Sequence, residues 1–180
     1  MDHRDHVNLL RGGVQTPSGL WADFGSGAGA FTLSLAELLG DGAQIISIDK
    51  DASALRAQER TLRSRFPHAR VEYRVADFSA PLDLPPLDGI VMANALHYQR
   101  DKQPLVRSLK GYLQPDGRFV LVEYNVDQGN PWVPYPLSFA TWQQLAARCG
   151  FAHTQWLAGV PSRFLKEIYS AVSWGCSATT

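Results

Sequence analysis

The segment Leu20-Trp21-Ala22-Asp23-Phe24-Gly25-Ser26-Gly27-Ala28-Gly29 constrains this chain more than any other. A short apolar run ends in an acid, Asp23. Glycines follow at positions 25, 27 and 29, and Ala30 to Leu39 then has the apolar density of a helix. Strand, glycine turn and helix in that order form a nucleotide-type binding loop. Glycine lets the main chain turn sharply, so a ligand can lie against bare peptide. Asp23 narrows the choice of ligand. A carboxylate beside the loop repels pyrophosphate and attracts an ammonium or sulfonium group.

The rest of the chain keeps the same rhythm. Apolar runs predict strands at 20–24, 45–49, 71–75, 89–93 and 119–122. Helical spacing predicts helices at 29–39, with Gly40 as the stop, at 52–65, and around Leu105, Val106, Leu109, Tyr112 and Leu113. The proline-rich stretch 79–87 leaves a short helix there or none. Pro115-Asp116-Gly117 reads as a turn. Beyond a loop at 125–137, Ser138 can cap a helix ending at Gly150, with Phe139, Trp142, Leu145 and Cys149 inward. Two closing strands are expected near 152–158 and 164–173. The expected fold is α/β: a doubly wound, mainly parallel seven-stranded sheet with a final antiparallel strand. One domain is expected over 1–180, with its core at 20–173 and an N-terminal segment at 1–19.

Composition supports this and removes several functions. A chain of 180 residues that is 45% apolar can bury one sizeable core. Seventeen basic side chains balance seventeen acidic ones, so no global field draws nucleic acid or anionic lipid. The two cysteines, Cys149 and Cys176, have no metal or redox spacing. The N-terminus lacks the apolar region of a secretory signal, and no apolar run is long enough to span a bilayer. A cytoplasmic protein without a membrane or nucleic-acid partner is expected; the oligomeric state stays open.

The notable polar residues fall at predicted strand ends: Asp23, Asp49, Asp77 with Phe78, Asn94 through His97, and Glu123 with Tyr124. In a doubly wound sheet those ends face one crevice. Asp49 lies about 20 residues beyond the glycine loop, where an acid reaches ribose hydroxyls. Ordered spacing of Asp23-Phe24-Gly25-Ser26-Gly27-Ala28-Gly29, Ser47-Ile48-Asp49-Lys50, Val75-Ala76-Asp77-Phe78, Leu87 through Tyr98 and the Leu113 to Phe119 turn resembles the class I S-adenosylmethionine-dependent methyltransferases.

That resemblance implies S-adenosyl-L-methionine as cofactor and methyl transfer to a small-molecule acceptor. It implies that backbone around Gly25 and Gly27 lies against the methionine part, with Ser26, Gly29 and Lys50 among the donor-contacting residues. Asp23 would act near the ammonium, through water or directly, and main chain at Asn94 would help hold it. Asp49 would accept the ribose hydroxyls, Asp77 the adenine amino group, and Phe78 would meet the ring. His97 is the first choice of general base and Tyr98 the second, since histidine side chains exchange protons near neutral pH. A nucleophile already ionised needs no base. His6, in an N-terminal lid over 1–19, and Tyr124, Trp132 and Tyr135, with the 125–137 loop, are the candidate acceptor walls.

Plainer readings stand beside these. Asp49 and Asp77 can be helix caps, His97 can be a packed histidine, and 125–137 can be a proline-stiffened connector. His3 and His6 have metal-compatible spacing but no further ligands, so no metal is expected. Arg56, Arg60 and Arg63 lack the interleaved aromatics of a nucleic-acid platform. Gly25-x-Gly27-x-x-Ala30 also fits a nicotinamide oxidoreductase, against which stand Asp23, the Asp77 motif and the lack of room for a substrate domain. A non-catalytic module binding S-adenosylmethionine or S-adenosylhomocysteine is the other alternative. Asn130-Pro131-Trp132 is similar to the Asn-Pro-Pro-aromatic motif of amino-group methyltransferases but follows the fifth strand instead of the fourth, which argues against a nucleobase or glutamine amide as acceptor.

Overall fold

In the computed structural model, residues 1–15, 18–162 and 164–176 are described. Seven strands form one sheet: β1 Leu20–Phe24, β2 Gln44–Asp49, β3 Arg70–Val75, β4 Leu87–Ala93, β5 Leu113–Tyr124, β6 Phe151–Pro161 and β7 Glu167–Cys176. Their order is β3-β2-β1-β4-β5-β7-β6. The first five pair in parallel, while β7 runs antiparallel to both β5 and β6. The expected fold class is observed. The order reverses between β1 and β4, which opens a crevice at the carboxyl ends of those two strands.

Five helices cover the sheet: α1 His3–Arg11, α2 Ala30–Leu39, α3 Ala52–Arg65, α4 Gln103–Lys110 and α5 Phe139–Arg148. One face buries Leu105, Val106 and Leu109 of α4 and Trp142 and Leu145 of α5 over Phe119 and Leu121 of β5. The other buries Leu9 and Leu10 of α1, Leu35 and Leu39 of α2 and Leu62 of α3 over Val120 and Val122. Alternate residues of β5 thus serve opposite cores, as a strand covered on both faces requires. Local chemistry sets the helix starts. Asp51 accepts from the backbone of Ser53 and Ala54 ahead of α3, and Ser138 accepts from Thr141 N ahead of α5.

Three segments differ from expectation. Residues 1–19, expected only as a lid, contain α1, started by a reciprocal capping box between Asp2 and Asp5. This helix packs beside α2 and against β6 and β7 on the second face. Residues 16 and 17 of that segment lie outside the described residues. Pro115-Asp116-Gly117 is not a separate turn but an irregularity inside β5, whose pairing with β4 jumps from Leu87–Leu113 to Gly89–Arg118. Tyr112 and Leu113 fall beyond α4, which ends at Lys110. No helix forms between β3 and β4, as the prolines of 79–87 led one to expect.

Candidate active site

Two of the loop glycines are demanded by geometry. Gly25 has φ +76°, and a Cβ there would stand 2.6 Å from the Ala95 Cβ and 3.2 Å from the Phe78 ring. Gly29, at φ +87°, starts α2 with Gln58 packed where its Cβ would be. No L side chain fits either position without strain. Gln58 is fully buried and supports the loop from α3: its Oε1 lies 3.0 Å from Ser47 Oγ, which lies 2.7 Å from Ser26 Oγ. The loop is also tied down by main chain, since Gly25 and Ser26 both donate to Ile48 O.

A cavity of about 360 Å³ opens over this loop. Gly25, Asp49, Lys50, Asp77, Phe78 and Asn94, six of the residues expected at a donor site, line it together with Ala76, Ala95, Tyr98 and Gln99. All come from carboxyl ends of β1 to β4 or the turns after them. The other residues expected at a donor site, Ser26, Gly27, Gly29 and Asp23, do not line this cavity; Ser26 and Gly27 are half-buried and Asp23 is 1% exposed.

Each acid of the site has a distinct environment. Asp49 Oδ2 accepts the Gly27 N–H at 2.8 Å and Oδ1 accepts the Asp51 N–H at 2.8 Å. It joins the glycine loop to the start of α3 and keeps further lone pairs on each oxygen. Asp77 Oδ1 accepts both the backbone N–H and the hydroxyl of Ser79. Those bonds hold its carboxyl below the ordinary carboxylate range. Neither acid caps a helix: Asp51 is the cap of α3, and Asp77 closes a turn in a stretch without a helix, so both stand on the cavity wall with turn bonds instead. Asp23 accepts the Thr32 hydroxyl at 2.6 Å, and burial pushes its carboxyl up to about 7.

The turn after β4 carries the most unusual backbone. Asn94 adopts φ +51°, its N–H donates to Val122 O at 2.9 Å, and its Oδ1 is buried without a hydrogen-bond partner. That leaves an acceptor without a partner on a residue of the cavity wall. His97 follows in a one-turn helix over Leu96–Tyr98, 2% exposed. Its Nδ1 lies 2.8 and 3.0 Å from the two carboxylate oxygens of Glu123, itself fully buried at the end of β5. The same carboxylate accepts the His97 backbone N–H at 3.0 Å and the Tyr124 N–H at 3.0 Å. Three N–H groups converge on one acid, which fixes the imidazole's position and ring plane. His97 is thus packed, as its plainer reading held, but on a buried carboxylate rather than on apolar surface. Glu123 was visible in the sequence only as a strand-end acid; its pairing over 26 residues had no local signature.

Aromatic rings surround the dyad. Tyr98 lies 4.3 Å and Tyr124 5.8 Å from the His97 ring, centroid to centroid. Tyr98 is 62% exposed, whereas burial followed by the Glu123 charge raises the Tyr124 phenol. The Tyr135 N–H donates to His97 O at 3.0 Å, anchoring the 125–137 loop to the same turn. Asn130 Oδ1 accepts from the backbone of Trp132 and Val133, so Asn130-Pro131-Trp132 builds an Asx turn that leaves Trp132 76% exposed. Among the described residues, none of those lining the cavity comes from 1–19. His6 packs edge-on against Phe31 at 4.8 Å, and burial lowers its pKa. His3 Nε2 pairs with Glu37 at 2.7 Å. Among the described residues there is no cluster of three or more potential metal ligands, and no helix long and apolar enough to cross a membrane.

Comparison with known proteins identifies the family and the fold. A family model described as a methyltransferase domain matches residues 22–119. The ubiquinone/menaquinone biosynthesis C-methyltransferases of Pectobacterium carotovorum and Shewanella oneidensis are 28% identical over 104 residues and 29% identical over 107. These matches cover 57% and 59% of this chain but only 41% and 43% of the relatives, so the chain spans less than half their length. Among solved structures, the YcgJ protein of Bacillus subtilis superposes with a TM-score of 0.78 at 14% identity, covering 98% of this chain and 100% of that one. The N-terminal domain of EvdMO1 with S-adenosylhomocysteine bound gives 0.72 at 19% identity, over 98% of this chain and 82% of that one. The CurJ carbon methyltransferase gives 0.70 at 19%, over 88% and 49%.

Proposed function

The chain belongs to the methyltransferase-domain family, in its class I S-adenosylmethionine-dependent form, and from that premise we propose that it methylates a small-molecule acceptor whose O–H or activated C–H is deprotonated by His97. The family match replaces the nicotinamide reading of the glycine loop. The observation that carries the acceptor chemistry is the buried His97–Glu123 pair on the turn whose neighbouring residues Asn94, Ala95, Tyr98 and Gln99 line the cavity. An acceptor that is already ionised, or that attacks through a free lone pair, needs no such pair.

The residues present suit the donor. The loop carries no Cβ at positions 25, 27 and 29, the acids stand at two neighbouring strand ends, and Asn94 carries an orphaned buried oxygen at a third. Asp49 would hold the ribose hydroxyls with its spare lone pairs. Asp77 and Phe78 would meet the adenine, and main chain at Gly25, Gly27 and Asn94 the methionine portion. Asp23, beneath the loop with Thr32, would act through that layer or through water. When bound, S-adenosylmethionine supplies a methyl group on positively charged sulfur.

The chain's own residues do the rest. A carboxylate only accepts hydrogen bonds, so Glu123 keeps the hydrogen on His97 Nδ1 and leaves the lone pair on Nε2. Nε2 takes the acceptor's proton as its oxygen or carbon attacks in line, and Glu123 stabilises the imidazolium that forms. Tyr98, on the wall beside His97, orients the acceptor. Trp132 and Tyr135 limit the space on the acceptor side, and Tyr124 supports the imidazole edge. Most of the rate comes from holding two reactants at near-attack distance, general-base help adding about 10²–10⁴.

Calorimetry with S-adenosylmethionine and S-adenosylhomocysteine tests the donor site. Mass-spectrometric detection of methyl transfer to a panel of phenols, enols and 1,3-dicarbonyl compounds tests the rest. His97→Gln should keep donor affinity and lose turnover. Donor binding with no transfer to any acceptor would favour a binding module, and undiminished turnover in His97→Gln would remove this base from the mechanism.

A further inference from the structure

Lys102 stands just before α4, where the turn that carries His97 ends. It is half-buried, and burial is the main reason its ammonium pKa is lowered. Its Nζ donates to Gln99 O at 2.7 Å, and Gln99 is part of the cavity wall. Among the described residues no carboxylate lies within 4.0 Å of it. The buried Glu123 is close enough for its charge to be felt, but its oxygens are taken by three N–H groups.

A lysine held partly out of water with one neutral acceptor keeps two ammonium hydrogens for another partner. Such a charge is costly to hold there unless something pairs with it. An aromatic surface lies beside it. The Tyr135 ring centroid is 5.7 Å from Nζ, and Tyr135 and Tyr98 are 41% and 62% exposed. The ammonium and the base share one piece of structure. Gln99 O holds Lys102, Tyr135 faces Lys102, and the Tyr135 N–H is bound to His97 O.

We propose that Lys102 is a specificity-determining residue that pairs with a carboxylate on the methyl acceptor, while Tyr98 and Tyr135 flank the acceptor's flat, unsaturated body. The acceptor class is then an enolisable or phenolic carboxylic acid, which deepens the reading of the site as a methyltransferase and rests on it. A solvated lysine of purely structural use would stabilise the turn equally for any acceptor. A substrate-reading lysine discriminates between an acid and its uncharged amide.

The test compares matched pairs, a hydroxybenzoate with its hydroxybenzamide and a 3-oxo acid with its 3-oxo amide. kcat/KM is measured for both members, and binding of each is measured by calorimetry to protein loaded with S-adenosylhomocysteine. The wild type should favour the acid by about tenfold to a hundredfold, the range of a hydrogen bond to a charged group. Lys102→Met keeps the apolar stem and should abolish that preference without changing donor affinity; Lys102→Arg should retain most of it. Equal use of acid and amide by the wild type, or a preference that survives Lys102→Met, overturns the assignment while leaving the methyltransferase reading intact. If no acceptor is methylated yet acids bind the loaded protein through Lys102, the transfer reading falls and the carboxylate subsite stands.

Discussion

Asp49 offers the sharpest test of the donor site, because its two oxygens do measurable work before any ligand arrives. Oδ2 accepts the Gly27 N–H and Oδ1 the Asp51 N–H, each at 2.8 Å. Asp49→Ala removes both bonds and the lone pairs assigned to the ribose. A hydrogen bond to a charged acceptor is worth about 1.5–3 kcal/mol, less where water can replace it. Asp49 is only half-buried, so the donor should lose about 1–3 kcal/mol, or about fivefold to 150-fold in Kd. Asp49→Asn separates shape from charge: its carbonyl keeps one backbone N–H while its amide hydrogens face the other. It should therefore weaken binding nearly as much as the alanine. Calorimetry with S-adenosylhomocysteine reads the affinity, and thermal unfolding without ligand reads the loss of loop support. An affinity within twofold of wild type, with the fold intact, would refute the assignment and place the ribose elsewhere.

Other outcomes follow from the same geometry. Gly25→Ala, forced to φ +76° with its Cβ 2.6 Å from Ala95, should lose about 1–2 kcal/mol of stability to backbone strain alone and bind donor more weakly; calorimetry showing normal affinity would mean the cradle tolerates a methyl group. Glu123→Gln turns an amide N–H₂ toward N–H donors, so turnover should fall about tenfold or more with donor affinity kept; unchanged kcat would show that Glu123 does not serve the base. Burial holds the Asp23 carboxyl near 7 in the folded state against 3.8, so the native chain binds the extra proton between those values. Stability from this group is present below about pH 4 and is lost as pH rises toward 7. Thermal unfolding from pH 5 to 8 should show that slope, and Asp23→Asn should flatten it; an unaltered slope would assign the dependence to other groups.

The parts of this molecule legible in the sequence are those whose cause is local. The glycine loop announces itself because no other residue takes its backbone angles, and α3 was placed at 52–65 by the spacing of Leu55 and Leu62. The acids on the cavity wall are legible because each stands at or just beyond a strand end in a sheet whose topology aims those ends at one crevice. The contacts that were hidden are long-range. Nothing near His97 says that Glu123 will stand under it, and nothing near Ser26 says that Gln58 will support it from another helix. The capping box that starts α1, Asp2 with Asp5, is a local signal, whereas the contacts that bury Leu9 and Leu10 of that helix come from elements far along the chain. Pro115-Asp116-Gly117 has the chemistry of a turn, but tertiary pairing carries β5 through it as an irregularity.

The position of β7 between β5 and β6 has a consequence for biosynthesis. As the chain leaves the ribosome, β5 has β4 on one side and nothing on the other until Glu167–Cys176 emerges, when Val120 and Val122 gain Val172 and Ser170 as partners. α1, made first, must wait for β6 and β7 before its docking surface is complete. A nascent chain stalled near residue 160 therefore offers an unpaired apolar edge to its neighbours. Truncations that remove β7 should accumulate as aggregates rather than as a smaller soluble domain.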